Sequence, residues 1–281
     1  MKNFYIVARS NSITHETNIK LVKEYLESKG AKCTVDSCYL PDNVDSIINV
    51  PDNTDCVITV GGDGTVVRIA HSIVPDNIPI IGLNCGHLGY LCDMNPDNIE
   101  HCLDMLLTDS HKLENRMMLE GGISGIDNET YTALNDVVVR STDAGSSVIT
   151  LTVKVNGIKL YSHDCDGLIM STPTGSTAYN LSANGPIVSP HAGCIILTPI
   201  NPHTLNSRSI ILAVNDEVDI NIEGRRDEDL ESAYVIFDGI KRLTLNKGQI
   251  LKVKRSSKTT RMVMLENVNF LERIRVRMQE I

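Results

Sequence analysis

The sequence predicts an α/β domain built on a parallel sheet, followed by a β-rich domain. Length sets the count, because 281 residues against a usual domain of about 150 point to two domains. Texture sets the classes. Over the first third, short β-type runs alternate with helical patterns, the mark of helices covering a parallel sheet. After about Lys112 the chain breaks into many short alternating runs separated by turn residues, as in an antiparallel β-domain. A hydrophobic content of 42% fills the core of such a chain, which buries roughly 70–75% of its unfolded surface. Disorder as the overall state is excluded.

Taken in order, residues 4–8 read as a strand. Ile19, Val22, Tyr25 and Leu26 recur at helical spacing, and the pattern stops at Gly30, a residue suited to the left-handed position that closes a helix. Residues 33–35 form a second strand. DCVITV at 55–60 is a continuous apolar run, as expected for a strand covered on both faces. It leads directly into Gly61-Gly62-Asp63-Gly64-Thr65, and VVRIAHSIV after it reads as a helix. A further buried-type strand at 78–83 ends in Asn84-Cys85-Gly86-His87-Leu88-Gly89. A helix with Ile99, Cys102, Leu103, Leu106 and Leu107 on one face follows. In the β-rich part, Asn156-Gly157 between LTVKV and IKLYS is a hairpin signal. FLERIRVRM at 270–278 is a short helix expected to dock elsewhere on the molecule.

Composition narrows the function. Lys and Arg number 26 against 35 Asp and Glu, a net charge of −9, so no global positive field exists to hold polyanionic nucleic acid. With no Trp and 4% aromatic residues, stacking surfaces for bases are scarce too. No stretch approaches the roughly 18 apolar residues of a membrane span, and MKNFYIVARS lacks the pattern of a signal peptide. A soluble, unexported, cytoplasmic protein that contacts neither membrane nor nucleic acid is expected. Eight cysteines form no CxxC pair and several sit in apolar segments, which reads as buried reduced thiols in place of zinc sites or disulfides.

Gly61-Gly62-Asp63-Gly64-Thr65 sits after a strand and before a helix, where open α/β sheets bind ligands. Glycines let backbone N–H groups approach phosphate oxygens, and the helix adds its positive end. Neither the Walker pattern GxxxxGK[ST] nor GxGxxG is present. Asp63 is the unusual member. A carboxylate repels phosphates unless a cation bridges them or it takes a proton from an attacking hydroxyl, so phosphoryl transfer with Mg²⁺ explains it best. A tight strand-to-helix turn with Asp63 as N-terminal cap is the plainer alternative.

Asn135-Asp136 in TALNDVVVR pairs an amide with a carboxylate, a natural reader of a ribose diol; a turn between strands is the alternative. From 167 to 207 there is no Asp, Glu, Lys or Arg, although 22% of the chain is charged. This stretch opens with LIM, a buried strand, and continues through Ser171-Thr172-Pro173-Thr174-Gly175-Ser176-Thr177-Ala178-Tyr179 into a short helix beginning near Thr177. Hydroxyls and N–H groups are thereby placed at a helix start. Such a surface suits a polar ligand held by hydrogen bonds, with a loop-rich β-domain as the alternative. His163, Asp164, Cys165 and Asp166 alternate along a strand and do not converge as a tetrahedral metal site requires, so no fixed protein metal site is expected. His203 either helps shape a pocket or is a plain loop histidine. The acidic run at 227–231 and the basic residues between Lys241 and Arg261 read as solvated faces.

GGDGT, NCGHLGYL, Asn135-Asp136, DGLIMSTPTGSTAYNLSANGPIVSP and LTPINPHTLNSRSI, in this order and spacing from about residue 55 to 240, resemble the NAD kinases, which phosphorylate NAD to NADP. The diacylglycerol and sphingosine kinases and the phosphofructokinases share a GGDG-type loop but not the STPTGSTAY stretch. The resemblance implies a phosphofructokinase-like α/β domain over 1–111, a β-sandwich-like NAD-binding domain over 112–258 and a segment over 259–281 that returns to the first domain. It also implies ATP and NAD as substrates, Mg²⁺ or another divalent cation with the ATP, and a homodimer or homotetramer.

Carried over residue by residue, the resemblance makes Asp63 the candidate general base nearest the adenosine 2′-hydroxyl. Gly61, Gly62, Gly64 and Thr65 become the phosphate-facing loop, with Asp63 and Gly64 also touching NAD. Asn135 and Asp136 fall on the ribose and adenine side, Asp166 faces the nicotinamide half, and Thr174, Thr177, Ala178, Tyr179 and Ser182 line the NAD pocket. Asp136 stands where the family often has Glu, Tyr90 where Phe is common and Ser209 where Pro is common. Two other readings stay open on sequence: a lipid or sugar kinase on the same loop, and a non-catalytic sensor of NAD or NADPH. Retention of Asp63 beside the whole glycine loop argues against the sensor.

Overall fold

The computed structural model describes residues 1–8, 12–36, 50–73, 77–86, 89–125, 129–142, 148–204, 207–223, 232–265 and 270–279. The chain divides into two compact units, one formed by Met1–Arg116 with Thr259–Ile281 and the other by Met117–Lys258. Among the described residues no helix is long and apolar enough to cross a membrane.

The first unit runs through β1 (Asn3–Ala8), α1 (Ile13–Ser28), β2 (Lys32–Val35), β3 (Cys56–Val60), α2 (Asp63–Ile73), β4 (Ile80–Leu83), β5 (Cys92–Met94) and α3 (Ile99–Leu107). Its strands lie in the order β2-β1-β3-β4-β5, all pairs parallel. Parallel neighbours need crossovers, and α1 provides the one from β1 to β2 and α2 the one from β3 to β4. Helix α1 starts at Ser12, whose hydroxyl accepts from the His15 amide at 3.3 Å. It ends where Gly30, at φ 84°, lets the Ala31 amide turn back to the Leu26 carbonyl at 3.1 Å. Ile6, Leu26, Ile58, Leu83, Leu103 and Leu106 form the core against this sheet. All five residues of β3 are buried, as the uninterrupted apolar run requires.

Helix α2 corrects the sequence pattern. It begins at Asp63, so Asp63, Gly64 and Thr65 are its first turn and not a loop ahead of it. Gly61 at φ 153° turns the chain, and the Thr65 amide bonds to the Gly62 carbonyl at 2.9 Å. That backbone geometry starts the helix ahead of its apolar stripe.

β6 (Lys112–Ile123) carries the chain into the second unit, which continues with β7 (Tyr131–Ala133), β8 (Asp136–Ser141), β9 (Ile149–Val155), β10 (Ile158–Cys165) and β11 (Gly167–Ser171). A 3₁₀ turn (Thr174–Thr177), α4 (Tyr179–Ser182), β12 (Cys194–Ile200), β13 (Ile210–Ala213), β14 (Val218–Glu223), β15 (Ser232–Phe237), β16 (Lys241–Asn246) and β17 (Leu251–Met264) follow. α5 (Phe270–Gln279) lies in the part of the chain that belongs to the first unit. One antiparallel layer has the order β13-β12-β11-β8-β15-β16, the other β10-β9-β14-β17. Val137, Val139, Leu168 and Met170 of the first layer share one apolar core with Leu151, Val153, Val218 and Ile220 of the second. This is the sandwich arrangement of two sheets packed face to face. Asn156 and Gly157 join β9 to β10 at φ 51° and 78°, the paired positive values of the predicted two-residue turn.

Candidate functional site

β3 delivers its buried residues into Gly61, whose amide donates to the Leu83 carbonyl at 2.9 Å. A Cβ at Gly61 would collide with the Thr65 hydroxyl, so no side chain fits there. That hydroxyl is buried and without a hydrogen-bond partner among the described residues. Gly62 and Gly64 are exposed, and a Cβ at either would meet nothing within 4 Å. A helix leaves its first amides without intrahelical partners; here the Thr65 amide turns back to the Gly62 carbonyl, and Gly62 and Gly64 put no side chain over the helix start.

Asp63 is the first residue of α2, and a distant segment engages its carboxylate. One oxygen accepts from the Tyr90 amide at 2.7 Å and the other from the Leu91 amide at 3.0 Å. Gly89 closes the contact, since a Cβ there would run into the Asp63 carboxylate. Two motifs that read separately in the sequence are thus one construction. His87 and Leu88 of NCGHLGYL lie outside the described residues.

In the second unit, Leu134 and Asn135 bend between β7 and β8, and Asp136 opens β8 in the middle of its sheet. Asp238, at φ 51° in the turn after β15, accepts from the amides of Leu134, Asn135 and Asp136 at 2.6, 2.8 and 2.9 Å. On the other side the Asn135 carbonyl accepts from the Thr172 amide at 2.8 Å, and the Leu134 carbonyl from the Thr172 hydroxyl at 2.6 Å. Gly175 packs so closely that a Cβ would collide with the Asn135 carbonyl. Asp136 is buried, and burial together with the Asp238 charge pushes its carboxyl up to about 7.

The hydroxyl-rich stretch makes the 3₁₀ turn and then the expected short helix, the four-residue α4, which begins at Tyr179, two residues after Thr177. Several of its hydroxyls tie the loop to itself: Ser176 donates to the Pro173 carbonyl at 2.7 Å and accepts from the Val188 amide at 3.1 Å. Thr177 donates to the Thr174 carbonyl at 3.4 Å, the Ala178 amide to Gly175 at 2.9 Å, and the buried Thr174 hydroxyl has no partner among the described residues. Asn180, fully buried, donates to the Ser176 and Pro186 carbonyls at 3.1 Å each. It accepts from Thr198 at 2.7 Å, and Thr198 meets the Ser209 hydroxyl at 2.9 Å. Ser209, the departure from the common Pro, therefore completes a polar chain.

Tyr179 and Ser182 are left exposed and line a cavity of about 470 Å³ with Thr198, Asn201, Arg208 and Ser209. Asp166 is tied to it through Asn201, whose amide donates to Asp166 Oδ2 at 2.9 Å. Sequence reasoning missed Asn201, Arg208 and Asp238 as members of these constructions. Arg208 had a signal, as the first charge after the neutral stretch; Asp238-Gly239 reads only as a turn.

His163 stacks on Tyr161 with ring centroids 4.4 Å apart. Among the described residues no group of three or more His, Cys, Asp or Glu is arranged to hold a metal ion. The described cysteines are not joined in disulfides, and burial pushes Cys33 up to about 11 and Cys165 to about 12. Cys38 and the acidic run at 227–231 lie outside the described residues.

Two family models match the chain, the ATP-NAD kinase N-terminal domain over residues 2–111 and the ATP-NAD kinase C-terminal domain over 134–265. An NAD kinase of Lachnospira eligens is 39% identical over 297 aligned residues, spanning 99% of this chain and 100% of that protein. One of Agathobacter rectalis is 36% identical over 281 residues and 99% of both chains. Among solved structures, an NAD kinase from Archaeoglobus fulgidus in complex with ATP superposes with a TM-score of 0.79 at 24% identity over 99% of both chains. Yeast NADH kinase complexed with NADH gives 0.85 at 23% identity, over 99% of this chain and 88% of that one. The structures carry the likeness of fold, and the family models and sequence relatives carry the descent: the chain belongs to the ATP-NAD kinase family.

Proposed function

We propose that this enzyme transfers the γ-phosphoryl group of ATP to the 2′-hydroxyl of the adenosine ribose of NAD, giving NADP and ADP. The observation that carries the reading is a carboxylate fixed by two amides beside an open, glycine-lined helix start. The Gly61, Gly62, Gly64 and Thr65 turn faces the phosphate oxygens and holds them through the Gly62 and Gly64 N–H groups, the Gly61 and Thr65 amides being bonded to the Leu83 and Gly62 carbonyls. Each Asp63 oxygen keeps a lone pair beyond its amide contact, so Asp63 accepts the hydroxyl proton as the ribose oxygen forms its bond to γ-phosphorus and the bond to the β-phosphate oxygen breaks. Positioning dominates such a step.

Asn135 and Asp136 take the ribose hydroxyls, Thr174, Thr177, Ala178, Tyr179 and Ser182 the adenine side, and Asp166 the nicotinamide half. A divalent cation enters with ATP as part of that substrate, and no step is assigned to it. The names of the sequence relatives support NAD as acceptor, and the ATP complex of the Archaeoglobus fulgidus enzyme supports ATP as donor. Family likeness extends the proposal to a cytoplasmic homodimer or homotetramer.

The test is incubation of the purified protein with NAD, ATP and MgCl₂, read by a glucose-6-phosphate dehydrogenase that responds to NADP and not to NAD. NADP appearing in step with ADP is the expected result. Phosphorylation of a lipid or sugar with no NADP would replace the reading with another kinase on the same loop.

A further inference from the structure

We infer that Arg273, on the C-terminal helix α5, is a positioning residue for Asp63, acting through the backbone of residues 89–93. The inference rests on the proposed role of Asp63.

Helix α5 buries a charged residue more deeply than its apolar ones, since Phe270, Ile274 and Val276 are only half-buried. Its buried residue is Arg273, while Leu271 and Met278 are 65% and 67% exposed. A buried guanidinium needs partners for its charge and its donors. Arg273 Nη2 ion-pairs with Asp93 Oδ1, whose second oxygen accepts from the Leu265 amide at 3.1 Å. Arg273 Nη1 donates to the Cys92 carbonyl at 2.8 Å and to the Gly89 carbonyl at 3.4 Å. One fork thus grips both ends of the segment whose inner amides, Tyr90 and Leu91, hold Asp63.

The Gly89 carbonyl and the Tyr90 amide belong to the same peptide group, which is trans. In a trans peptide these two dipole ends point in opposite directions. Arg273 therefore takes one end of the peptide and Asp63 the other, so the orientation of that plane fixes where the carboxylate stands. Hydrogen bonds chained in this way polarise one another. The neighbouring Arg277 lies 5.8 Å from the Tyr90 ring centroid, a second cation on the same segment.

The test is a mutant cycle on the full-length enzyme. Arg273→Met removes the donors and is paired with Asp93→Asn, so that no buried carboxylate is orphaned. Arg273→Lys keeps the charge beside Asp93 and loses the fork, so the result does not depend on the double variant folding. The expected result is a kcat roughly 10- to 100-fold lower, with KM for NAD and ATP within about threefold, in variants whose melting temperature is near wild type. In an Asp63→Asn background the same changes should add less than about threefold, because the residues act as one unit. Wild-type kcat in a folded Arg273 variant, or losses that simply multiply with Asp63→Asn, would overturn the inference and leave the Asp63 assignment standing. Wild-type turnover by Asp63→Asn alone would instead remove the assignment on which the inference rests.

Discussion

The Asp238 carboxylate accepts a hydrogen bond from the Asp136 amide at 2.9 Å, and it is also the charge that, after burial, raises the Asp136 carboxyl to about 7. An unfolded aspartate titrates near ~3.9, so the folded chain keeps a proton that the unfolded chain has lost. The stability this gives is complete below about pH 4 and is lost as pH rises through about 7. Between those values the slope approaches about 1.4 kcal/mol per pH unit. Urea midpoints from pH 5 to 8 should show the wild type losing stability relative to Asp136→Asn. A constant gap between the two proteins would contradict the assignment.

Asp238 orders the Asn135-Asp136 corner through three amides. Asp238→Ala strands those donors, and unmade bonds to a charged acceptor predict a loss of roughly 2–4 kcal/mol. KM for NAD should rise about tenfold, since the corner proposed to read the ribose loosens, while kcat at saturating NAD changes little. Urea melts and steady-state kinetics check both, and an unchanged KM in a destabilised variant would detach the corner from NAD.

Two glycines should respond in opposite ways. Gly64 has open space around its missing Cβ and lies in the first turn of α2, so Gly64→Ala should leave stability equal or higher by up to about 1 kcal/mol. Its methyl would stand where the proposed function brings phosphate oxygens, and kcat/KM for ATP should fall at least about tenfold. Gly89→Ala pushes on the Asp63 carboxylate and should lower both stability and kcat. A Gly64→Ala enzyme with wild-type kcat/KM would move the phosphate site elsewhere.

Local signals made much of the fold legible. DCVITV becomes the buried β3 because an uninterrupted apolar run fits a strand covered on both faces. Gly30 and Asn156-Gly157 sit at positive φ where turn chemistry puts them. The start of α2 is not legible from side-chain period, since it depends on the Gly61 backbone angle and the Gly62 to Thr65 bond. Composition identifies the hydroxyl-rich stretch without telling which hydroxyls are turned inward, as Thr172 and Ser176 are. The constructions around the candidate residues join segments far apart in the chain. Asp63 meets an amide 27 residues on, Asp136 an acceptor 102 residues on, and Arg273 an ion partner 180 residues back. No local pattern encodes such pairings.

The central claim is that Asp63 takes the proton of the attacking ribose hydroxyl. The most direct measurement is single-turnover NADP formation by Asp63→Asn beside the wild type, with NAD affinity of each measured by calorimetry. The account predicts a rate lower by about 10²- to 10⁴-fold, the usual share of a general base, with the NAD dissociation constant within about threefold. A near-wild-type rate from Asp63→Asn would contradict it, and NAD binding without turnover in the wild type would make this chain a sensor.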